Sequence, residues 1–304
     1  MDTRRLAYYV TIVDCGTITR AADILHLAQP ALSQHVSALE NEFGQQLLVR
    51  SRKGVVPTAA GRSLYRYAQG ILRLEESVRD EITSEASSPA GAVTIGLAAY
   101  SFASTLVVPI LQTIRSRYPR IVTRVVETLT VVHSQALMMG QVDAAIIYDP
   151  GPIRGVRFER VLADELYLVT PLRLELPDAT DDEVPLTSLA SLPFMLPNRS
   201  HTMRKLIEQS FRQAGMELQV VIEMDHSRPL ADAIQLGLGV TLLPKAAAEV
   251  AFSRDRFALR RVVDPSLTVT LALATLEHHP LSAAAEAVVD VLREVVLGQR
   301  PQEG

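Results

Sequence analysis

A single cysteine, Cys15, stands in a chain of 304 residues, so no internal disulfide framework can staple this fold. With no second thiol to resolve it, Cys15 reads as a small packing residue at a helix end. Long apolar runs are also missing, and none approaches the roughly 20 residues that a bilayer span requires. At the start, Asp2, Arg4 and Arg5 run straight into a helical pattern, where an export signal would be charged and then apolar. These absences predict a soluble, cytoplasmic protein with no membrane partner. The histidines at 26, 35, 133, 201, 226, 278 and 279 lack the Cys/His or His–Glu spacing of a metal site. Nor is there a glycine-rich phosphate loop, a nucleophile elbow or a His–carboxylate pair. Gly237-Leu238-Gly239 precedes a predicted strand, whereas a dinucleotide fingerprint follows one and opens a helix. The expectation is a protein that is not an enzyme and carries no cofactor and no metal.

An excess of one charge sign is lacking too. The net charge is −4, and residues 1–90 balance acid against base, so bulk electrostatics do not suggest nucleic acid. Locally the picture changes. From Phe43 to Leu74 the charged residues are Arg50, Arg52, Lys53, Arg62, Arg66 and Arg73, with no Asp or Glu. Most charge runs are solvated faces. This one begins at a predicted hairpin and has the single sign that phosphate contacts need, because each neutralised phosphate releases condensed counterion.

What the chain does contain is a helix with two distinguishable faces. From Pro30 the apolar positions Leu32, Val36, Leu39 and Phe43 draw one buried stripe. Pro30 suits a first helical turn, where its missing N–H leaves no bond unmade. The other face offers Gln29, Ser33, Gln34 and Ser37, short uncharged groups of the kind that read base edges in a major groove. Before it, Leu6, Tyr9, Val10 and Val13 stripe one helix, Gly16 stops it, and Thr17 caps a second that buries Ile18, Ala21, Ala22 and Leu25. The connection through Leu27-Ala28-Gln29 makes a helix-turn-helix. Leu47–Arg50, a turn at Ser51-Arg52-Lys53-Gly54 and Val55-Val56 then form a wing.

Residues 1–62 resemble the winged helix-turn-helix of the LysR-type transcriptional regulators. The resemblance rests on Ala21-Ala22, Gln29-Pro30-Ala31-Leu32-Ser33-Gln34, Leu39-Glu40, Leu47-Leu48-Val49-Arg50 and Pro57-Thr58-Ala59-Ala60-Gly61, in that order. One departure is Leu48, where the family usually carries Phe; Leu48 can fill the same space. Within the family the sequence looks closest to the nitrogen assimilation control branch. Segment order extends the resemblance over essentially the whole chain. It implies a winged helix-turn-helix (1–58), a dimerising linker helix and hinge (59–91), and a regulatory domain (92–297) with the type 2 periplasmic-binding-protein fold. Lobe I would be 92–163 plus 268–297, and lobe II 164–267.

The pattern after the wing is compatible with that order. Residues 58–85 hold no proline and keep Leu64, Ala68, Ile71, Val78 and Ile82 at helical spacing, predicting a helix of about 28 residues, or ~42 Å. The segment 84–91 reads as a hinge. From Val93 strands alternate with helices, a parallel α/β rhythm: strands at 93–96, 121–127, 144–148, 166–170, 194–196, 219–223, 240–243 and 267–275, and helices near 104–118, 131–139, 202–214, 229–236 and 282–296. Open α/β sheets bind ligands beyond the carboxyl ends of their strands. That places Tyr100, Ser101, Phe102, Thr128, Arg199, His201, Thr202 and Asp225 at the candidate effector site, with Arg199 or His201 adding positive charge for a carboxylate effector. Each hydroxyl alone is as well explained as a helix cap.

The resulting expectation is a sequence-specific regulator that binds double-stranded operator DNA. Gln29, Pro30, Ala31, Ser33 and Gln34 would meet base edges, and Arg50, Arg52 and Lys53 phosphates or the flanking minor groove. The resemblance further implies a homodimer through the linker helix reading two half-sites, a homotetramer whose DNA bending responds to lobe closure, RNA polymerase as a partner and a small-molecule effector. If the nitrogen-control branch is the right one, no effector is needed. The competing reading is a ligand-binding protein or enzyme of α/β fold with an incidental helical head.

Overall fold

The computed structural model describes residues 2–51, 54–83, 88–99, 101–224, 227–277 and 281–298. Arg52, Lys53, Tyr100, Asp225 and residues 84–87 of the expected hinge lie outside the described residues. The chain divides into two compact units, Met1–Ser87 with Met138–Gln141, and Ser88–Leu137 with Val142–Gly304.

In the first unit α1 (Thr3–Cys15) opens where the Asp2 carboxylate accepts from the Arg4 amide at 2.9 Å and closes on Gly16 at φ 69°. Thr17 caps α2 (Ile18–Leu25), and α3 (Gln29–Phe43) carries Pro30 in its first turn. β1 (Leu48–Ser51) and β2 (Gly54–Pro57) pair antiparallel as the wing. Glu40 ties α3 to it, its carboxylate accepting from the Leu47 and Leu48 amides at 2.8 and 3.2 Å. Leu6, Tyr9, Ile12, Ala21, Ala22, Leu32, Val36, Leu39, Leu47 and Leu48 form the core. Phe43, expected inside, is 44% exposed. Gly44, in the left-handed region, ends α3 there, and Leu47 and Leu48 take the core space instead.

α4 (Ala59–Thr83) is one continuous helix, and its apolar stripe is covered over the first half only. Ala68 is fully buried, and Leu64 and Ile71 pack against the three-helix core. Tyr67, Leu74, Val78 and Ile82 are exposed, Ile82 at 79%. The small helical domain covers only the first turns of a helix ~38 Å long.

The second unit runs β3 (Gly91–Ala98), a 3-10 turn (Phe102–Leu106), α5 (Val107–Arg117), β4 (Ile121–Thr128), α6 (Thr130–Met138), β5 (Ala144–Tyr148) and β6 (Val156–Pro171). It continues with β7 (Glu183–Pro185), β8 (Phe194–Leu196), α7 (Thr202–Gln213), β9 (Val220–Glu223), α8 (Ser227–Gln235), β10 (Thr241–Pro244), α9 (Lys245–Ala251), β11 (Phe257–Val263), β12 (Thr268–Leu276) and α10 (Ala283–Leu297). The helix expected over 104–118 is split. Pro109 has no amide hydrogen to donate and so belongs in a first turn, which starts the α-helix at Val107.

The sheet order is β4-β3-β5-β12-β6-β11-β7, with β10 also on β6 and β8–β9 as a separate pair. The sheet is mixed, not uniformly parallel: β3 pairs parallel with β4 and β5, while β12 is antiparallel to β5 and β6. β6 was expected only from Leu166. It is 16 residues long, and its neighbours change along its length. Val156–Glu165 pairs with β12, and from Leu166 onward the strand pairs with β10 and β11. One strand therefore threads both halves of a two-lobed α/β fold.

His133 on α6 is buried against β3 at Gly96, where a Cβ would lie 2.5 Å from Nδ1. Its Nε2 lies 2.8 Å from the Leu97 carbonyl, so Nε2 carries the proton, and Nδ1 has no partner. Burial holds the ring below the usual imidazole range, against the opposing pull of Leu97 and Glu127. The unfolded chain binds this proton at about 6.5. The stability contribution is then complete above that pH and lost as pH falls toward the folded value. Ring-nitrogen NMR is expected to find His133 still neutral, with the proton on Nε2, at pH values where an ordinary imidazole is half charged. An ordinary titration curve would refute this.

Candidate functional site

α3 turns Leu32, Val36 and Leu39 inward and leaves Gln29, Pro30, Gln34, Ser37 and Asn41 exposed, with Ala31 half-buried. Its N-cap residue, Ala28, supplies no side-chain acceptor, so the first turn keeps backbone N–H groups uncapped. Ser33 departs from the expected outward face. Its Oγ has no accessible surface and no hydrogen-bond partner. Ser33 lies one residue from Leu32 and three from Val36, so its side chain falls at the edge of the buried stripe. Arg50 is exposed on β1. Where α4 begins, Arg62 and Arg66 are exposed and, with Ala59 and Tyr65, line a cavity of about 400 Å³. The Arg62 guanidinium donates to the Pro57 carbonyl at 2.9 Å, which fixes it beside the wing. The expected basic ribbon thus has three described members on the wing and the adjoining helix start.

In the second unit the predicted effector residues fall at strand ends. Ala98 pairs with Thr128, so the carboxyl ends of β3 and β4 are level, and the Ala99 amide donates to the Thr128 carbonyl at 3.0 Å. Ser101 is fully buried; its Oγ donates to the Ala98 carbonyl at 2.6 Å and accepts from the Ala103 amide at 3.1 Å, capping the 3-10 turn. Phe102 is half-buried against the core. His201 is buried and caps α7, its Nδ1 accepting from the Met203 amide at 3.2 Å, and half-buried Thr202 begins that helix. Arg199 is 80% exposed, 3.6 Å from Glu208.

Three residues that sequence reading passed over complete this region. Tyr148 ends β5, fully buried, with its ring 6.0 Å from that of His201. Asp164 lies on β6, paired with Val269, two residues before the strand changes neighbours. Burial, then Glu165, pushes its carboxyl up to about 7. Burial, then Asp164, raises the Tyr148 hydroxyl well above the ordinary phenol range. Arg204, only 2% exposed, donates to Glu208 at 2.9 Å, to the Pro197 carbonyl at 3.1 Å and to Glu223 at 3.4 Å. A tyrosine closing an apolar strand and an acid next to another acid were the available signals. Among the described residues no group of His, Cys, Asp or Glu is placed to hold a metal ion, and no helix is long and apolar enough to cross a membrane.

Residues 3–62 match the family described as "Bacterial regulatory helix-turn-helix protein, lysR family", and residues 86–297 match "LysR substrate binding domain". The nitrogen assimilation regulatory protein nac of Klebsiella aerogenes is 35% identical over 97% of this chain and 95% of its own length. A full-length OxyR variant from Pseudomonas aeruginosa shares the fold, with a TM-score of 0.73 at 22% identity over 97% of this chain and 94% of that one. CbnR in complex with its target DNA aligns with a TM-score of 0.57 at 19% identity, over 97% of this chain and all of that one. The three-helix head with its wing and the two-lobed α/β half fall in that order under the two family matches, and the chain belongs to the LysR family of transcriptional regulators.

Proposed function

We propose that this regulator reads its operator with the exposed edge of α3. Gln29 and Gln34 meet base edges, Pro30 and Ala31 pack beside them, and Ser33 contributes once its hydroxyl rotates outward. Arg50, with Arg52 and Lys53 of the wing turn, holds phosphates or the flanking minor groove. The observation that carries this reading is the two-sidedness of α3: Leu32, Val36 and Leu39 are used up in the core, and Gln34 is exposed at the surface.

Regulators of this family bind DNA and form oligomers. For this chain the pairing element is the exposed half of α4, where Tyr67, Leu74, Val78 and Ile82 need cover. Two copies joined there present two recognition helices to two half-sites; a tetramer, RNA polymerase contact and a cytoplasmic setting follow the family pattern. The working division is 1–58 for DNA, 59–91 for pairing and hinge, and 92–297 for regulation, with lobe I at 92–163 plus 268–297 and lobe II at 164–267. A small molecule held near Ser101, Phe102, Thr128, Arg199, His201, Thr202 and Asp225 acts by favouring one subunit arrangement over another. Similarity to a nitrogen assimilation regulator favours a second reading in which no effector is required.

The test is a gel-shift series on the DNA upstream of the protein's own gene. Gln34→Ala is expected to lose about 1–3 kcal/mol of discrimination between operator and random DNA. Arg50→Ala should weaken both alike and reduce the salt slope by about one. Equal losses on operator and random DNA for Gln34→Ala would overturn the assignment. Ser33→Ala removes a hydroxyl that is unpartnered without DNA, so stability is expected to stay within about 1 kcal/mol. Any loss of DNA affinity for Ser33→Ala then reports the rotated hydroxyl directly.

A further inference from the structure

Among the described residues the Asp164 carboxyl has no counter-charge. It makes no hydrogen bond or ion pair with any described residue, and its Oδ2 has no accessible surface. The nearby cations are committed elsewhere. Arg261 is paired with Glu165 and Glu183, and Arg160 with Asp149. The Lys245 ammonium lies 5.9 Å from the Tyr167 ring centre. Arg204 is spent on Glu208, Glu223 and the Pro197 carbonyl. Among the described residues Tyr148 is near enough to feel its charge, and the Tyr148 ring lies 6.0 Å from that of His201. Leaving a carboxylate half-buried and unpaired is costly, and the cost is relieved by a proton or by a cation.

The position matters as much as the charge. Asp164 lies just before the change of neighbours on β6, where the lobe I ladder gives way to lobe II, and beside the carboxyl end of β5. Ligands of open α/β sheets settle beyond such strand ends. A carboxylate ligand would bring a second negative charge toward Asp164, whereas a protonated amine or an amidine supplies the missing partner.

We propose that the seam between the lobes takes a small cationic molecule bearing an ammonium or amidinium group, with Asp164 as its counter-charge. This deepens the effector-binding reading above and rests on it. It also replaces the carboxylate effector expected from the sequence. Of the two groups on which that expectation leaned, Arg199 is largely exposed and already beside Glu208, and His201 is buried with its Nδ1 accepting from the Met203 amide.

The test uses the full chain, with putrescine, agmatine and benzamidine as cationic probes and succinate and benzoate as anionic ones, followed by thermal shift and calorimetry. At about pH 8, where Asp164 is mostly ionised, at least one cationic probe is expected to bind, and Asp164→Asn should weaken it about tenfold or more. Lowering the pH to about 6 should weaken the same probe in the wild type and leave Asp164→Asn unchanged. Should Asp164→Asn fail to fold, Asp164→Ser and the wild-type pH series carry the comparison. Binding of succinate or benzoate in preference to the cations overturns the proposal. So does equal cation binding by Asp164→Asn, or no cation binding at about 10 mM. Gel shifts without any probe are run in parallel. Specific DNA binding with no cation response defeats only this inference, whereas loss of specific DNA binding defeats the reading beneath it.

Discussion

Gly61→Ala is expected to destabilise the DNA-reading unit by about 3 kcal/mol and to abolish operator binding near its melting range. In a helix this exchange would ordinarily gain about 1 kcal/mol, because glycine loses more backbone entropy than alanine. Here the surroundings reverse the sign. A Cβ on Gly61 would stand 2.0 Å from the Leu47 carbonyl oxygen and 2.6 Å from the Tyr9 hydroxyl. Neither neighbour is at liberty to retreat. The Leu47 carbonyl accepts from the Thr58 amide at 3.0 Å and from Tyr9 at 3.4 Å, and the Leu47 amide is held by Glu40 at 2.8 Å. Moving Leu47 would drag β1 and disturb Leu47 and Leu48, both in the core of this unit. Urea unfolding of the full chain, followed by hydrogen exchange of the α1 and α3 amides, reads the effect locally. An unchanged midpoint for those amides would mean that α4 and the wing are not in the contact described.

That contact illustrates what a sequence carries and what it does not. Pro57-Thr58-Ala59-Ala60-Gly61 was readable as part of a family signature, but nothing in it said that glycine is needed for the approach of a carbonyl. The three helices, their caps at Thr17 and Gly16 and the buried set Leu32, Val36 and Leu39 were legible because periodicity and cap chemistry are local. β6 was not. Arg157, Glu159, Arg160, Asp164 and Glu165 give its first half the look of a surface loop, and they are tolerated because ladder pairing with β12 comes from residues more than a hundred positions away. α9 and β11 were missed for a related reason. Three consecutive alanines in α9 carry no periodicity, and Arg260 and Arg261 interrupt the apolar alternation of β11.

The same distinction applies at the sites. Gln34 could be placed outward from spacing alone. Ser33 was assigned to the same outward face, but it lies at the edge of the stripe, and packing leaves its hydroxyl buried. Effector residues were placed by the rule for strand ends, and Ser101 does end up at that edge of the sheet, though as a cap with its hydroxyl engaged twice. Tyr148 and Asp164 escaped notice because their meaning comes from strand pairing. Neither is near the other in the chain, and only the β5–β12–β6 ladder brings them together.

Arg204→Ala should be the most damaging single change in the second lobe, costing about 3 kcal/mol. The guanidinium is almost wholly enclosed, and its three acceptors are spread over the start of the Pro197–His201 segment, the body of α7 and the end of β9. Removing it leaves a void, an orphaned Pro197 carbonyl, Glu223 without its cation and Glu208 with only the exposed Arg199 at 3.6 Å. Glu208 and Glu223 are 27% and 51% exposed, so water takes over part of their solvation and the loss stays below that of a fully buried broken pair. Arg204→Lys separates charge from geometry. A lysine keeps the positive charge but replaces the planar fork by a point charge and cannot reach three acceptors in different directions at once. It should therefore recover less than half of the loss. Hydrogen exchange at the amides of α7 and β9 is the appropriate readout, because those elements share the guanidinium while α1–α3 do not. Full recovery by lysine would show that charge alone is needed there. Unaltered exchange in Arg204→Ala would show that the segment leading into α7 is held by the apolar contacts of Met203, Ile207 and Phe211 instead.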